Sequence, residues 1–221
     1  MSNNSNNLTR AKILSPEKIE EAASRLKAGE IGLIPTETFW GLSTNPFILN
    51  SVLRLFAIKK RPLNKTVPLM ASSIEQVKEV AFLDKKIEPL ARDFWPGPLS
   101  LLLKSSLDFP CPQVKNEKKE ICIRVSSHPQ ARELASLVNL PLVATSANLS
   151  GEPPQIRWQQ ISLSVLNKVD FILDTPLLPA GGKASTILRL EDKNIHFVRK
   201  GALPEKEIWA RWEELKKLNL L

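Results

Sequence analysis

A helix and a strand meet at Lys59-Lys60-Arg61-Pro62-Leu63-Asn64-Lys65, a short cationic loop closed by proline. Pro62 disfavours the helical conformation at Arg61, so the sequence predicts that the helix ends there and that Lys59 and Arg61 stand on a stiff turn. Four cations within seven residues suit a polyanion better than a core. Arginine offers phosphate oxygens a planar fork, whereas lysine supplies a point charge. A solvated basic turn shows the same pattern, so the interpretation depends on the rest of the chain.

The composition is that of one globular domain with a basic surface. The chain has 221 residues, of which 43% are hydrophobic, enough to bury a substantial core. Its 31 lysines and arginines exceed its 23 acidic residues, which gives a net charge of +8 and an isoelectric point near 9.6. Such an excess favours anionic partners, namely nucleotides, RNA or an acidic protein surface.

Cysteine use and the N-terminal sequence favour a cytoplasmic protein. Cys111 and Cys122 are the only cysteines, at no metal-binding or redox spacing, so we expect free thiols in a reducing compartment. No apolar run approaches the length that crosses a membrane. Residues 1–7 are polar and lack the apolar segment of a signal peptide, so we expect residues 1–12 to form a disordered tail.

Between that tail and the end of the chain, predicted strands alternate with predicted helices. The strands are expected at 31–34, 67–71, 99–103, 121–125, 141–144, 169–173, 185–190 and 195–198. The helices are expected at 16–28, 51–58, 73–81, 84–94, 128–138, 156–166 and 205–218. The last two strands read as a hairpin. This order predicts a single α/β domain over residues 13–221, with a mixed sheet.

Polar side chains and cations gather at the predicted strand ends, where open α/β sheets bind ligands. They are Thr36, Thr38, Arg124, Ser146, Asn148, Ser185, Thr186 and Arg199. Such groups bind phosphates and carboxylates without covalent participation. Each also has a structural alternative: Thr36 as a turn cap, Ser146 and Asn148 in side-chain turns, Arg124 in a half-buried ion pair. The phosphate-binding P-loop, the G-x-S-x-G elbow and histidine metal motifs do not occur, which disfavours a hydrolase triad and a zinc enzyme.

Taken together and in order, these motifs resemble the YrdC-like family of threonylcarbamoyl-AMP synthases. The resemblance spans about residues 29–201. It is carried by Pro35-Thr36-Glu37-Thr38 with Gly41-Leu42, Lys59-x-Arg61-Pro62, Trp95-Pro96-Gly97-Pro98-Leu99, Thr145-Ser146-Ala147-Asn148-Leu149-Ser150-Gly151, Ser185-Thr186 and Arg199-x-Gly201.

The resemblance implies a fold, a reaction and partners. The fold is a twisted open α/β sheet, flanked by helices, with a positively charged concave face. The reaction joins L-threonine, bicarbonate or CO2, and ATP into threonylcarbamoyl-AMP and pyrophosphate, with Mg²⁺ sharing the phosphate charge. Partner proteins then transfer the threonylcarbamoyl group to tRNA, and direct contact with tRNA is a further expectation. The chain ends soon after Gly201, which resembles the short, single-domain form.

The family's site residues carry over by position. Those implied to bind ATP are Lys59, Arg61, Lys65, Ser146, Asn148 and Arg199. Those implied to bind threonine are Thr36, Arg124 and Ser185, with Arg124 pairing its carboxylate. No protein nucleophile is required, and the sequence does not identify metal ligands. Met70 stands where many relatives carry a histidine near the threonine site, which predicts that this contact is missing or replaced.

Two other functions remain open from the sequence. An RNA-binding accessory protein would use the basic surface directly, but no RNA-binding signature occurs and the five tryptophans are scattered. A divergent paralogue with another substrate would explain Met70. Retention of both the K-x-R and the S-x-N pair argues against it.

Overall fold

The computed structural model describes residues 9–219. Its α-helices are α1 (Ile19–Lys27), α2 (Leu49–Lys59), α3 (Ile74–Val80), α4 (Glu88–Phe94), α5 (Pro129–Val138), α6 (Leu163–Leu166) and α7 (Glu205–Lys217). Its strands are β1 (Lys12–Leu14), β2 (Gly32–Ile34), β3 (Gly41–Ser43), β4 (Leu69–Ala71), β5 (Leu99–Lys104), β6 (Glu120–Val125), β7 (Leu142–Val143), β8 (Thr145–Ser146), β9 (Phe171–Leu173), β10 (Thr186–Glu191) and β11 (Asn194–Arg199). No helix within this range is long and apolar enough to cross a membrane.

The strands form two mixed sheets, which confirms the predicted α/β class. One sheet has the order β1-β9-β2-β3-β8, and the other has the order β11-β10-β5-β6-β4-β7. Parallel and antiparallel pairs occur in both, and β10 with β11 is the expected antiparallel hairpin. The sequence had indicated a single sheet, because alternation along the chain does not reveal which strands share edges.

The first sheet brings two distant loops together. Strands β2 and β3 are antiparallel, with Ile34 opposite Gly41, so the residues between them form a tight connection. Strand β3 then pairs with β8, which places Gly41 opposite Ser146. Two polar segments separated by over a hundred residues in sequence therefore lie side by side.

One face of the six-stranded sheet is covered at one end and open at the other. Met70 is fully buried in an apolar cluster with α1 and α5, and its register partner on β6 is Arg124. Because paired residues and every second residue along a strand share a face, Cys122 and Leu102 lie on the same side. On this side of the sheet, Leu102 and Cys122 line a hollow together with Ile187, Arg189 and Arg199.

Several short elements differ from the prediction, among them the strand Thr145–Ser146, which was expected to be loop. Lys12–Leu14 form a strand beside β9, and the Thr9 hydroxyl donates to the Leu166 carbonyl oxygen at 2.9 Å, so the folded part starts before the predicted boundary at residue 13. Residues 1–8 of the predicted tail lie outside the described residues. Gly41–Ser43 form a strand where none was predicted.

The helix predicted over 156–166 is also wrong. It is a 3-10 turn, Trp158–Gln160, followed by the short helix α6. Ser162 separates the two, because its side chain accepts from the Ser164 backbone amide and so starts a new helix. The helix predicted from residue 84 begins only at Glu88, where Pro89 occupies the first turn, which requires no amide donor.

Candidate functional site

A cavity of about 150 Å³ opens where the polar strand ends converge. It is lined by Thr36, Thr38, Phe39, Gly41, Arg61, Pro68, Arg124, Ala144, Thr145, Ser146, Ala184, Ser185 and Arg199. Six of the nine predicted site residues are in this set. We call it the central cavity. Its lining contains three arginines and no carboxylate, so its charge favours an anionic ligand.

Arg61 also lines two further hollows. The first, of about 300 Å³, has an apolar floor of Leu102, Ile187 and Val198 beside Arg189 and Arg199. The second, of about 720 Å³, is a broad groove whose wall includes Lys65. Arg61 is therefore the cation common to all three spaces, and Lys65 reaches only the outermost one.

Arg61 follows directly on the left-handed turn that ends α2. Lys60 has a φ of 47°, and the Arg61 amide donates to the Phe56 carbonyl oxygen at 2.9 Å. One terminal nitrogen of Arg61 donates to the Thr66 carbonyl oxygen at 2.6 Å, while its Nε is buried without a partner. Burial, and then the charge of Arg199, lower the pKa of Arg61. An anion bound between the two arginines would favour their charged forms and so offset both effects.

Arg199 and Ser185 form a second polar cluster. Arg199 donates from Nε to the Ser185 carbonyl oxygen and from a terminal nitrogen to Ser185 Oγ, both at 3.0 Å. Ser185 Oγ is also 2.9 Å from Ser100 Oγ. These contacts fix the Ser185 hydroxyl at the cavity wall.

Arg124 is paired with Glu37, as its structural alternative had indicated. Its Nε donates to Glu37 Oε1 at 2.8 Å, and both side chains are about nine-tenths buried. Ser126 Oγ donates to the other carboxylate oxygen. Burial is the largest influence on the Glu37 carboxyl and opposes ionisation, but Arg124, Ser126 and a backbone hydrogen bond together outweigh it and lower its pKa. Nε is the only guanidinium nitrogen of Arg124 with a hydrogen-bond partner in residues 9–219, so its outer nitrogens remain available to a ligand.

Thr36 is committed first to the turn between β2 and β3. Its hydroxyl donates to the Phe39 carbonyl oxygen at 2.7 Å and accepts from the Phe39 amide at 3.3 Å. Thr38 Oγ1 lies 3.3 Å away. The Thr38 amide also donates to Thr36 Oγ1, at 3.4 Å, so Thr36 shapes the wall of the central cavity with a hydroxyl that the turn holds in place.

Lys59 does not stand on the predicted turn. It is the last residue of α2 and is 2% exposed. Its Nζ donates to the carbonyl oxygens of Ser146 and, at 2.8 Å, Asn148, while the Ser150 amide donates to the Lys59 carbonyl oxygen at 2.9 Å. The lysine therefore ties the 146–150 loop to α2. Lys59 belongs to the last turn of α2, and its side chain is buried. The carbonyl oxygens of the loop accept hydrogen bonds from its ammonium, which offsets the cost of removing that charge from water.

The Lys59 ammonium makes the stability of the protein depend on pH. Burial, and then Arg61, lower its pKa to about 8. A lysine in the unfolded chain keeps its proton to a higher pH, so between these values the unfolded state binds more protons and alkali favours folding. We expect the free energy of unfolding of the wild type, relative to Lys59→Met, to rise by on the order of 2 kcal/mol between pH 8 and about 10.5.

Urea denaturation of both proteins across this range measures the difference. Lys60→Met, at the exposed neighbouring position, should keep the pH dependence of the wild type. If the free energy of unfolding depends on pH in the same way in the wild type and in Lys59→Met, the assignment of a lowered pKa to the buried Lys59 ammonium is wrong.

Asn148 lies away from the central cavity. Its Nδ2 donates to the carbonyl oxygens of Leu149, at 2.8 Å, and Glu152, at 2.6 Å. The side chain faces a separate hollow of about 210 Å³, lined by residues such as Gln155 and Gln160. The structure thus brings Ser146 to the central cavity and turns Asn148 toward the interior of its loop.

Two residues that the sequence interpretation did not assign complete the site. Glu37 and Ser126 hold Arg124, although they lie 87 and two residues from it in the chain. Glu37 lies between Thr36 and Thr38 in a motif that carries the resemblance, but no local pattern indicates that it pairs with an arginine on another strand. Met70, the departure from the family pattern, is fully buried and does not line the central cavity.

Comparison with known proteins identifies the family. A model of the Sua5, YciO and YrdC proteins, described as telomere recombination, matches residues 24–201. A threonylcarbamoyl-AMP synthase from Coxiella burnetii is 37% identical over 167 residues, which cover 74% of this chain and 88% of that protein. The enzyme of that name from Pseudomonas entomophila is 33% identical over 184 residues, covering 80% and 94%.

Solved structures agree on the fold. Pyrococcus abyssi Sua5, crystallised with L-threonine, matches with a TM-score of 0.83 and 30% identity over 90% of this chain and 60% of its own. The chain thus spans little more than half of that longer relative, of which it covers 56% in the sequence comparison. Escherichia coli YciO matches with a TM-score of 0.75 at 22% identity, which supports the fold alone. The predicted resemblance is confirmed: this chain belongs to the Sua5/YciO/YrdC family, with threonylcarbamoyl-AMP synthases among its relatives.

Proposed function

We propose that this protein is a threonylcarbamoyl-AMP synthase, a nucleotidyltransferase that forms threonylcarbamoyl-AMP and pyrophosphate from L-threonine, bicarbonate or CO2, and ATP. The observation that carries the proposal is the convergence of Arg61, Arg124 and Arg199 on one cavity whose lining contains no carboxylate. Both substrates that must meet there, an amino acid and a nucleoside triphosphate, present anions to such a cavity. The relatives of this name, at over 30% identity, support the same reaction.

Arg124 is the group we assign to the threonine carboxylate. Its Nε is held by Glu37, so the outer nitrogens form a fork that faces the cavity. The hydroxyls of Thr36 and Ser185 line the same space and are positioned by their own hydrogen bonds. Pyrococcus abyssi Sua5, a relative of the same fold, was crystallised with L-threonine, which supports an amino-acid ligand for this protein.

Arg61 and Arg199 are the groups we assign to the phosphates of ATP. Their positive charges repel each other, and Ser146 adds a hydroxyl to the lining of the same cavity. The adjoining hollow offers an apolar floor for a nucleoside, and Lys65 stands beyond it on the groove. Lys59 acts here by fixing the loop that carries Ser146, and Asn148 by holding that loop together.

The chemistry requires positioning and charge neutralisation rather than a protein nucleophile. The uncharged threonine amine adds to CO2 and loses a proton, which gives a carbamate. A carbamate oxygen then attacks the α-phosphorus of ATP, and pyrophosphate leaves with the electrons of the broken P–O bond. The arginines stabilise the negative charge on both partners, and an enclosed cavity shelters the labile carbamate from water.

Mg²⁺ stays a prediction from the resemblance. Residues 9–219 contain no group of three or more histidine, cysteine, aspartate or glutamate side chains that could hold a metal ion, and the central cavity offers no carboxylate. Mg²⁺ commonly reaches such sites on the phosphates of its nucleotide, so the triphosphate would bring the ion here.

The product is an activated acyl adenylate, so partner proteins must accept it and pass the threonylcarbamoyl group to tRNA. We further propose that tRNA contacts the broad groove directly, because lysines and arginines line it. We also propose a cytoplasmic location, because both cysteines are free and buried and these substrates occur together there.

Pyrophosphate release with and without L-threonine, in the presence of ATP, Mg²⁺ and bicarbonate, tests the function. We expect threonine-dependent release together with a product of the mass of threonylcarbamoyl-AMP. A folded protein that binds ATP without turnover would instead be a divergent paralogue. RNA binding that falls steeply with salt, with no turnover, would favour the accessory protein.

A further inference from the structure

Glu37 is a buried carboxylate that does not line the central cavity. Its side chain is 10% exposed, and its neighbours Thr36 and Thr38 face the cavity while it does not. Its pKa is lowered in spite of burial, so the group carries its charge at neutral pH. A buried charge that meets no ligand requires another explanation, because removing a carboxylate from water is costly unless the group is paired.

The contacts of Glu37 all concern the orientation of Arg124. One carboxylate oxygen accepts from Arg124 Nε at 2.8 Å, and the other accepts from Ser126 Oγ. Ser126 Oγ also accepts from the His128 amide at 3.2 Å, so the carboxylate itself is held in place. Because a guanidinium is planar, an acceptor on Nε determines where the two outer nitrogens point.

The backbone that carries Glu37 is tied down as well. Its carbonyl oxygen accepts from the Ala180 amide at 3.1 Å, and the next carbonyl oxygen, that of Thr38, accepts from the Gly181 amide at 2.8 Å. These two hydrogen bonds hold the backbone at Glu37 in place, so the position of its carboxylate beside Arg124 is well defined.

We propose that Glu37 is a positioning residue that holds the Arg124 guanidinium in the orientation that receives the carboxylate of the amino-acid substrate. The inference rests on the proposed function, since it takes Arg124 to be the carboxylate receptor. A long arginine that is free to rotate loses conformational entropy when a ligand binds. Glu37 already orders the Arg124 side chain in the folded protein. Threonine binding therefore loses less free energy to ordering that side chain, and the affinity for threonine is higher.

Two substitutions separate geometry from charge. Glu37→Asp keeps the charge but shortens the reach by one methylene, so we expect the KM for threonine to rise about tenfold or more while the KM for ATP stays within about twofold. Glu37→Gln loses the charge but keeps an acceptor for Arg124 Nε and a donor for Ser126 Oγ, so its KM for threonine should stay within about threefold of the wild type. A loss in Glu37→Gln as large as that in Glu37→Asp, or an unchanged KM in Glu37→Asp, overturns the inference.

Asp170→Asn is the matched control. Asp170 lies just before β9 and pairs with Arg54 at 2.7 Å. It is near the start of the parallel neighbour β2, whereas the cavity lies near the end of β2. This variant also weakens a carboxylate–arginine pair but should leave both KM values unchanged. If Glu37→Asp does not fold, Ser126→Ala removes the second contact of the carboxylate and should raise the KM for threonine alone by about threefold. Unchanged threonine kinetics in Ser126→Ala would then reject the positioning role.

Calorimetry with L-threonine keeps this inference distinct from the proposed function. If the wild type binds threonine but forms no adenylate, the reaction assignment fails, and weaker binding to Glu37→Asp than to Glu37→Gln still supports the positioning role. If the wild type forms the adenylate and all variants bind threonine equally well, the function stands and the role of Glu37 is rejected. No threonine binding by the wild type overturns both.

Discussion

Arg61→Ala is expected to lower ATP-dependent pyrophosphate release by roughly 10²–10³-fold, the effect of removing one preorganised group that stabilises transition-state charge. The reason is the position of Arg61, the cation shared by the central cavity and both adjoining hollows. Negative charge shifts from the α-phosphate to the leaving pyrophosphate during the reaction, so a cation near both is needed. No other side chain lines all three spaces. Initial rates over a range of ATP concentrations measure the loss.

The fold of Arg61→Ala should persist. The side chain is half-buried and gives up one hydrogen bond, to the Thr66 carbonyl oxygen, so we expect the free energy of unfolding to fall by only about 1 kcal/mol. Lys60→Ala, one residue earlier and exposed, is the control that keeps full activity. Wild-type turnover by folded Arg61→Ala would show that the phosphates bind elsewhere.

Arg124→Lys is expected to raise the KM for threonine by about 10²-fold while the KM for ATP changes less than about threefold. Lysine preserves the charge but loses the planar fork, which is the feature that receives a carboxylate on two nitrogens. It also keeps Glu37 paired, so the protein should fold. A parallel rise in both KM values would argue against a carboxylate-specific role of Arg124.

Arg124→Ala should in addition change how stability depends on pH. Burial is already the largest influence on the Glu37 carboxyl, and without the opposing charge of Arg124 we expect it to raise the pKa of that carboxyl above the unfolded value. A raised carboxyl pKa means that stability is present in acid and is lost as the pH increases through the folded pKa. We therefore expect Arg124→Ala to be several kcal/mol less stable than the wild type at neutral pH, with a smaller difference near about pH 4. Denaturation at both pH values measures this.

Local patterns determined most of the architecture. Apolar periodicity, the proline after Arg61 and the glycines at segment ends indicated an α/β domain, the final hairpin and nearly all helices. The errors fell where the signal is weak: the short strands Lys12–Leu14 and Gly41–Ser43, and the helix that Ser162 interrupts. Three residues are too few for a period to be visible, and their strand conformation depends on partners from distant parts of the chain.

The sequence by itself, through its resemblance to the family, also indicated most of the polar side chains that meet in the cavity, although it left out Glu37 and Ser126, which hold Arg124. Six of the nine predicted residues meet in the central cavity. Only the tertiary structure decided what each of them does. It buried Lys59 beneath the 146–150 loop, turned Asn148 away, and joined Glu37 to Arg124 across 87 residues. Such pairings depend on strand register and on the cost of leaving a buried charge unpaired, and no local stretch of sequence contains either quantity.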